Sequence, residues 1–453
     1  MGEAGQATPG GTGVGRENPE PALRGGGPAK AGIGRKAAGG FFVMVLQTIG
    51  VRAIRLSSNV ALAWLLFPDD FALFAFAATL HQFVSVLKNA GLRDILIHRE
   101  ARIGKWINPA AWMSIAMGLA GAALMVAAAP FVAWFYGRDE LILLVFVLAG
   151  TTFFQSIGQV PMAMLHASLR FKTAASIEAV NSSAMILLTV YYAWAGLGPV
   201  SFVLPMLNMA MLRAAFLWWL VRPRIKRSPE LRRWRYLVGD SVRLISADVA
   251  RTVVLQGDYI VLGRAFPNNQ AAVGHYFFSY RLSTQFVYMF AKNLDTVLMP
   301  SLSKLQADVS RQTSAFLRAI GVLTVVGVPL CLLQAALVDP VVHLLLPVRF
   351  HPTIPYIVVL SIGMVGQLVF GPATSMIRSQ GRFRFYNRLT WINAVVFLAA
   401  VIIAAIYGSV FAVASAVAVC AGLFGLLFVW SAIPDAPHRT RAVLGVFARP
   451  VCV

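Results

Sequence analysis

Long apolar stretches alternate with short clusters of proline, glycine and charged residues along most of this chain. Each apolar stretch has about 20 residues or more, the length that a helix needs to cross the hydrocarbon core of a bilayer. The pattern therefore predicts an all-α integral membrane protein with twelve transmembrane helices. Their approximate limits are 41–66, 71–97, 110–136, 141–165, 173–196, 199–221, 238–263, 273–299, 313–338, 354–377, 386–407 and 409–431.

The composition agrees with a membrane location. Of the 453 residues, 58% are hydrophobic and 13% are charged, whereas an average soluble domain carries about twice that charged fraction. Residues 1–40 differ from the rest, because they are rich in glycine and proline and have few large apolar side chains. Such a segment cannot bury enough surface to offset its chain entropy, so we predict a disordered tail there. We predict no cleaved signal peptide, since the apolar stretch from Phe41 is long enough to remain as a membrane helix.

The basic residues are distributed unevenly between the two ends of the predicted helices. Lys and Arg together number 39 against 18 Asp and Glu, a net charge of +21. If the N-terminal tail is cytoplasmic, all loop Lys and Arg except Arg138, Arg264 and Arg349 lie on the cytoplasmic side. This bias predicts that both termini are cytoplasmic. The net charge then reflects topology, and no nucleic-acid partner is implied.

Three short motifs recur in the same order in the second half of the chain. Phe67-Pro68-Asp69-Asp70 recurs as Phe266-Pro267-Asn268-Asn269, Lys88-Asn89 as Lys292-Asn293, and Arg170-Phe171-Lys172 as Arg382-Phe383-Arg384. Their collinearity predicts a six-plus-six duplication with parallel repeats related by an axis along the membrane normal. The expected organisation is a cytoplasmic tail (1–40), an N-terminal six-helix lobe (41–221), a basic linker (222–237), a C-terminal six-helix lobe (238–431) and a cytoplasmic tail (432–453).

Polar and charged side chains form stripes on the first, second, seventh and eighth predicted spans. Arg52 and Arg55 lie near the middle of the first span, too deep for their side chains to reach an interface. We expect the four stripes to face one another and to line a cavity between the lobes. The cavity residues predicted are Arg52, Arg55, Asn59, Lys88, Arg251, Arg281, Gln285, Tyr288 and Lys292. The alternative is a structural ladder of ion pairs, for example between Asp258 and Arg281.

The predicted cavity has a positive charge. Guanidinium groups suit diphosphate oxygens, because their planar donors bind two oxygens at once and keep their proton. The favoured ligand is therefore an anion carried by a lipid. Tyr288, Tyr276 and Tyr280 could stack on sugar rings, although packing is the more ordinary role for Tyr276. The sequence has no glycine-rich phosphate loop and no paired His or Cys motif, so we predict no catalytic residue, no metal and no cofactor.

Two segments of the chain have a recognisable pattern. They are Leu65-Leu66-Phe67-Pro68-Asp69-Asp70-Phe71-Ala72-Leu73, and Gly257-Asp258-Tyr259-Ile260-Val261-Leu262-Gly263-Arg264 leading to Val273-Gly274-His275-Tyr276. Both resemble the bacterial polysaccharide biosynthesis and O-antigen translocase family, in the superfamily of multidrug, oligosaccharidyl-lipid and polysaccharide exporters. The resemblance implies two lobes around a central cavity that rock between inward-open and outward-open states. It also implies a flippase for a polyprenyl-diphosphate-linked oligosaccharide in the bacterial inner membrane. Polymerases and glycosyltransferases are the expected protein partners.

Two other functions stay open at this point. A multidrug-type cation antiporter of the same superfamily would need mainly acidic cavity residues. A membrane glycan polymerase would be expected to hold its chemistry in a large external loop, and the longest one here, 339–353, is short. We expect the membrane potential alone to drive transport. If a coupling ion or proton is used, its candidate sites are Asp258, Asp295 and Glu178.

Overall fold

The computed structural model describes residues 54–89, 103–168, 170–223, 225–226, 228 and 231–433. Within these ranges the chain consists of helices and the turns between them, without a β-strand. Eight of the described helical segments are long and apolar enough to cross a membrane. The prediction of an all-helical, multi-pass membrane protein is therefore confirmed. The predicted tail over 1–40 lies outside the described residues.

The helices follow one another with short connections. Residues 54–65 form α1, and a 3₁₀ helix, Val348–Thr353, precedes α11. The remaining helices are α2 (Pro68–Asn89), α3 (Ile103–Tyr136), α4 (Glu140–Ile157), α5 (Gln159–Ala167), α6 (Phe171–Trp194), α7 (Val200–Val221), α8 (Leu231–Ala265), α9 (Gln270–Lys304), α10 (Val309–Leu345), α11 (Ile354–Ser379), α12 (Phe383–Tyr407) and α13 (Val410–Ala432).

One predicted span is interrupted. The sequence predicted a single helix over 141–165, but α4 ends at Ile157 and α5 begins at Gln159. Pro161 accounts for the break, because it has no N–H to donate to the carbonyl of Ile157 four residues earlier. The helix therefore ends before the proline, and Gly158 connects the two pieces.

The segment between α7 and α8 is docked on α3. Asn108 Nδ2 donates to the carbonyl of Ser228 at 2.7 Å, and its Oδ1 accepts from the backbone N–H of Lys226 at 2.9 Å. Trp112 Nε1 donates to the carbonyl of Lys226 at 2.9 Å. Beyond this contact α8 begins at Leu231, within the segment that the sequence predicted as linker.

Two of the recurring motifs fold into the same local geometry. The N–H of Asp70 donates to the carbonyl of Phe67 at 3.1 Å, and the N–H of Asn269 donates to that of Phe266 at 3.1 Å. The other motif, Arg170-Phe171-Lys172 and its repeat Arg382-Phe383-Arg384, begins α6 and α12, and the N-cap residue of each helix is the arginine. Arg170 has φ −82° and ψ 50°, and Arg382 has φ −81° and ψ 47°. This local equivalence supports the predicted duplication.

Three other long helices, α2, α8 and α9, carry most of the predicted polar stripes. They are packed together, because α2 contacts both α8 and α9. Thr79 on α2 contributes to this contact, donating its Oγ1 proton to Gln256 Oε1 on α8 at 3.2 Å. The polar helices predicted to face one another are thus neighbours, and the apolar helices pack around them.

Candidate functional site

A cluster of buried apolar side chains joins α1 and α2 to α9, α10 and the 3₁₀ helix. Phe71 lies within it, with its ring centroid 5.1 Å from that of Phe202, 5.4 Å from Phe278 and 5.6 Å from Phe350, all in edge-on arrangements. We call this cluster the plug. Its buried members are Leu62, Ala63, Leu66, Phe71, Ala193, Phe202, Phe278, Val338, Val342, Leu346, Phe350 and Ile357.

Polar contacts fasten the end of α1 to the end of α10. Arg349 Nη2 donates to the carbonyls of Ala63, at 2.9 Å, and Trp64. Such carbonyls at a helix C-terminus have no partner within their own helix. Trp64 Nε1 donates in turn to the carbonyl of Leu345 at 2.9 Å. The Arg349 guanidinium also lies 4.7 Å from the ring centroid of Phe67, so Arg349 contacts both the end of α1 and the α1–α2 turn.

Backbones come into direct contact beside the plug. A Cβ atom built on Gly274 of α9 would lie only 1.8 Å from the carbonyl oxygen of Pro68, the first residue of α2. Only glycine allows this approach, because every other residue would place its Cβ inside that oxygen. The start of α2 is therefore seated against α9 without a side chain between them.

Two side-chain amides lie one helical turn away from the plug, toward the opposite end of the molecule. Asn59 precedes Leu62 by three residues, about 4.5 Å along α1. It is 1% exposed, and neither its Nδ2 nor its Oδ1 has a hydrogen-bond partner. Gln334 precedes Val338 of the plug by one turn on α10. Its Nε2 donates to the carbonyl of Leu282 at 3.3 Å, while its Oε1 is buried without a partner.

Two arginines lie at this same level. Arg281, on α9, is three residues beyond Phe278 of the plug, and Arg55 is one turn beyond Asn59 on α1. Both side chains are half-buried, and they are close enough for their positive charges to repel each other. Neither forms an ion pair with an acidic side chain that the structure describes. The arrangement leaves two uncompensated cations next to the plug.

Packing around α1 loosens at the level of Arg55. Ser58 and Asn59 are buried, whereas Ile54 and Leu56 are 40% and 44% exposed. The four residues from Ile54 to Ser57 are exposed or half-buried, so this turn of α1 makes fewer contacts than the turn that follows it.

The predicted ion pair between Asp258 and Arg281 is wrong. Asp258 is 2% exposed, and its Oδ2 accepts from Tyr276 Oη at 2.5 Å while its Oδ1 accepts from the N–H of Tyr259 at 3.0 Å. Tyr276 and Arg281 are five residues apart on α9, about 140° around the helix, so they face different neighbours. Asp258 lies on the tyrosine side. Tyr276 itself is fully buried, in agreement with a packing role rather than sugar stacking.

The other predicted residues are more dispersed. Glu178 of α6 forms an ion pair with Arg213 of α7. Arg251 is exposed on α8, and Gln285 Nε2 donates to the carbonyl of Arg281 at 3.2 Å. Lys88 lies on α2, and Tyr288, Lys292 and Asp295 lie on α9, but their side chains are outside the described part, as is the whole of Arg52.

Gln334 was missed by the sequence analysis. It is an isolated amide in the apolar second half of α10, whereas the predicted stripes were defined by charged residues on other spans. The signal that could have found it is the isolated glutamine in the run Leu330-Cys331-Leu332-Leu333-Gln334-Ala335-Ala336-Leu337, because a polar side chain in a membrane helix usually has a partner or a function.

Comparison with known proteins adds a family and a fold. A family model described as "Polysaccharide biosynthesis protein" matches residues 61–355. The chain is 24% identical over 306 residues to the teichuronic acid biosynthesis protein TuaB of Bacillus subtilis, covering 66% of this chain and 62% of that protein. It is 23% identical over 296 residues to the succinoglycan biosynthesis transport protein ExoT of Rhizobium meliloti, covering 65% and 60%. The chain thus spans about three fifths of the length of these curated relatives.

Solved structures share the fold at lower sequence identity. The lipid II flippase MurJ in an inward closed conformation superimposes with a TM-score of 0.74 and 13% identity, covering 91% of each chain. The inward-facing conformation of a multidrug resistance MATE family transporter gives 0.63 and 14%, covering 87% of this chain and 94% of that one. At these identities the likeness establishes the fold alone.

Proposed function

The chain belongs to the family of polysaccharide biosynthesis proteins, and on that premise we propose that it is a flippase. Its cargo is an oligosaccharide linked to a polyprenyl diphosphate, moved from the cytoplasmic to the outer leaflet of the bacterial inner membrane. One observation carries the proposal: Arg55 and Arg281 are both half-buried, their positive charges repel each other, and neither forms an ion pair with a described acidic side chain. Like charges inside a membrane protein cost free energy unless an anion accompanies them, and a diphosphate is such an anion.

The geometry of a diphosphate also matches a pair of guanidinium groups. A guanidinium presents planar donors that bind two oxygens at once, and two of them can hold the two phosphates of one headgroup. In the proposed topology of twelve spans with both termini cytoplasmic, the plug faces the outside. The conformation described here would then be closed to the outside, and the arginines would lie on the cytoplasmic side of the plug.

The proposed architecture has two six-helix lobes related by duplication. It is supported by the matching turns at Phe67 and Phe266 and by the matching N-caps of α6 and α12. Polymerases and glycosyltransferases of the same glycan remain the proposed partners. One curated relative is named as a transport protein, which favours a transporter over a glycan polymerase. The multidrug alternative shares the fold, but a cationic drug would be repelled by the arginine pair.

Reconstituted flipping is the direct test. The purified full chain is placed in proteoliposomes with undecaprenyl diphosphate carrying a labelled oligosaccharide, and export of the label is measured. Because a charge-assisted hydrogen bond contributes about 1.5–3 kcal/mol, Arg55→Ala and Arg281→Ala should each slow export by about tenfold or more. Arg55→Lys should export only slightly faster than Arg55→Ala, because lysine keeps the positive charge but lacks the paired planar donors.

Arg264→Ala is the matched control. Arg264 is exposed in the last turn of α8, so this variant removes the same group away from the proposed site and should export at the wild-type rate. Wild-type export by both cavity variants would refute the assignment of the arginines. A wild-type protein that does not move the lipid-linked probe at all would refute the proposed function.

A further inference from the structure

The unpartnered amides beside the arginine pair are the starting point. Burying an amide without a hydrogen bond costs free energy, so native structures usually satisfy such groups. Asn59 leaves both its donor and its acceptor unused at 1% exposure. Gln334 leaves its Oε1 unused while its Nε2 holds the backbone carbonyl of Leu282, the neighbour of Arg281. Two polar groups with spare bonding capacity therefore lie beside the plug, Gln334 at the level of Arg281 and Asn59 one turn from Arg55.

The hydrogen-bonding capacity of the unpaired amide atoms restricts the kinds of ligand that can bind there. Gln334 Oε1 can only accept a hydrogen bond, and a sugar-linked diphosphate, which is ionised at neutral pH, has no proton to donate. A metal cation would bind such oxygens but would be repelled by the adjacent guanidiniums of Arg55 and Arg281. A neutral group that both donates and accepts hydrogen bonds remains. Hydroxyl and acetamido groups of a sugar have this property, and they match the paired donor and acceptor of Asn59.

We propose that Asn59 and Gln334 form a neutral sugar subsite, which binds the sugar attached directly to the diphosphate while Arg55 and Arg281 hold the phosphates. The inference rests on the proposed function and extends it to the headgroup. Because Asn59 is sealed in the conformation described here, the subsite becomes available only when the plug parts. The sugar then replaces the missing partners of both amides during the outward step.

Binding measurements with two kinds of probe separate this role from that of the arginines. The full chain in detergent is titrated with undecaprenyl diphosphate, and with the same lipid carrying one glucose, galactose or N-acetylglucosamine. Each neutral hydrogen bond should contribute a factor of about three to ten in affinity. The wild type should therefore bind at least one sugar-bearing lipid more tightly than the bare lipid. Asn59→Leu and Gln334→Leu should lose that preference and keep the affinity for the bare lipid, whereas Arg281→Ala should weaken every probe.

Asn208→Leu is the matched control for a purely structural effect. The amide of Asn208 has a partner, since its Nδ2 donates to Tyr192 Oη at 2.7 Å. Its removal should lower the melting temperature and leave the sugar preference intact. The Asn59 variant should melt no lower than the wild type, because neither atom of its amide was paired. Gln334→Leu also removes the hydrogen bond from Nε2 to the carbonyl of Leu282, so its melting temperature should fall as that of Asn208→Leu does, but unlike Asn208→Leu it should lose the sugar preference.

The possible outcomes distinguish the two proposals. A wild type that binds the bare lipid but shows no preference for any of the three sugars overturns the subsite alone. Amide variants that keep the preference, or that weaken all probes equally, overturn it as well. A wild type that binds none of the lipids refutes the proposed function and the subsite with it.

Discussion

Replacing Gly274 by alanine tests whether the contact between α2 and α9 keeps the plug end closed. The substitution adds a single methyl group, and within α9 alone it would be favourable, because alanine stabilises a helix by about 1 kcal/mol relative to glycine. The contact of Gly274 with Pro68 of α2 outweighs this gain in helix stability. The new Cβ would lie 1.8 Å from the oxygen and 2.5 Å from the carbon of the Pro68 carbonyl.

Neither atom can turn aside, since both belong to the backbone. The oxygen must move from 1.8 Å to about 3.4 Å for ordinary contact, which requires α2 and α9 to separate. Inserting a methyl group into a packed contact costs typically about 1–3 kcal/mol. This cost falls only on the conformation in which the helices touch, so the population of the separated form should rise by about 5- to 150-fold.

The reporter for this shift is a cysteine in place of Ala63, a fully buried member of the plug. The protein's native cysteines are replaced, and right-side-out vesicles that contain this variant are treated with a membrane-impermeant maleimide. The rate at which the new cysteine is labelled then measures how often the plug opens. Labelling should accelerate by the same 5- to 150-fold in Gly274→Ala. Its melting temperature should fall as well.

Gly321→Ala provides the matched control, because a Cβ at Gly321 on α10 would meet no atom within 4 Å. This variant should label at the wild-type rate and melt no lower than the wild type. Equal labelling of the Gly274 and Gly321 variants would refute the argument that backbone contact at Pro68 holds the plug end shut.

Three other predictions concern single groups. Arg349→Lys keeps the charge but lacks the planar donors that bind the carbonyls of Ala63 and Trp64, so the same cysteine reporter should label faster; an unchanged rate would contradict this. Asp258→Asn and Tyr276→Phe should show a coupling of about 0.5–3 kcal/mol in a double-mutant cycle of unfolding, and additive losses would speak against their hydrogen bond. A diphosphate moves about two negative charges outward, worth roughly 2.3 kcal/mol each per 100 mV. An inside-negative potassium diffusion potential should therefore accelerate export in proteoliposomes without a sodium or proton gradient, and indifference to it would reject a drive by the potential alone.

Helix positions were predictable where the bilayer sets the length. The predicted spans 199–221 and 409–431 differ by at most one residue at either end from α7, Val200–Val221, and α13, Val410–Ala432. Apolar composition marks the part of a helix inside the hydrocarbon, and proline or glycine marks its ends. The predicted helix over 273–299 was too short, because α9 extends over Gln270–Lys304. Its polar ends continue the helix where hydropathy gives no signal.

The candidate site was predictable only in part, for a different reason. Helical periodicity identified Arg55 and Arg281 as positions on interior stripes, and the structure brings them together. Periodicity does not say which residue of a neighbouring helix each side chain meets, so Asp258 was paired with the arginine instead of Tyr276. Gln334 carries no charge, and its importance depends on Leu282 and the plug, which are close to it only in the folded chain.

The polarity of α9 also has a consequence for how the protein enters the membrane. Each Arg, Lys or Asp at the centre of a helix opposes release from the translocon into lipid by about 2.5–3.5 kcal/mol, and Arg281 lies about 16 Å from the start of α9. Such a segment partitions poorly on its own. Because α9 packs against α2, which is synthesised some 180 residues earlier, the earlier helix can provide a protein surface in place of lipid. Co-translational insertion of the second half therefore depends on the first, and a chain expressed without α2 should leave α9 exposed to quality-control proteolysis.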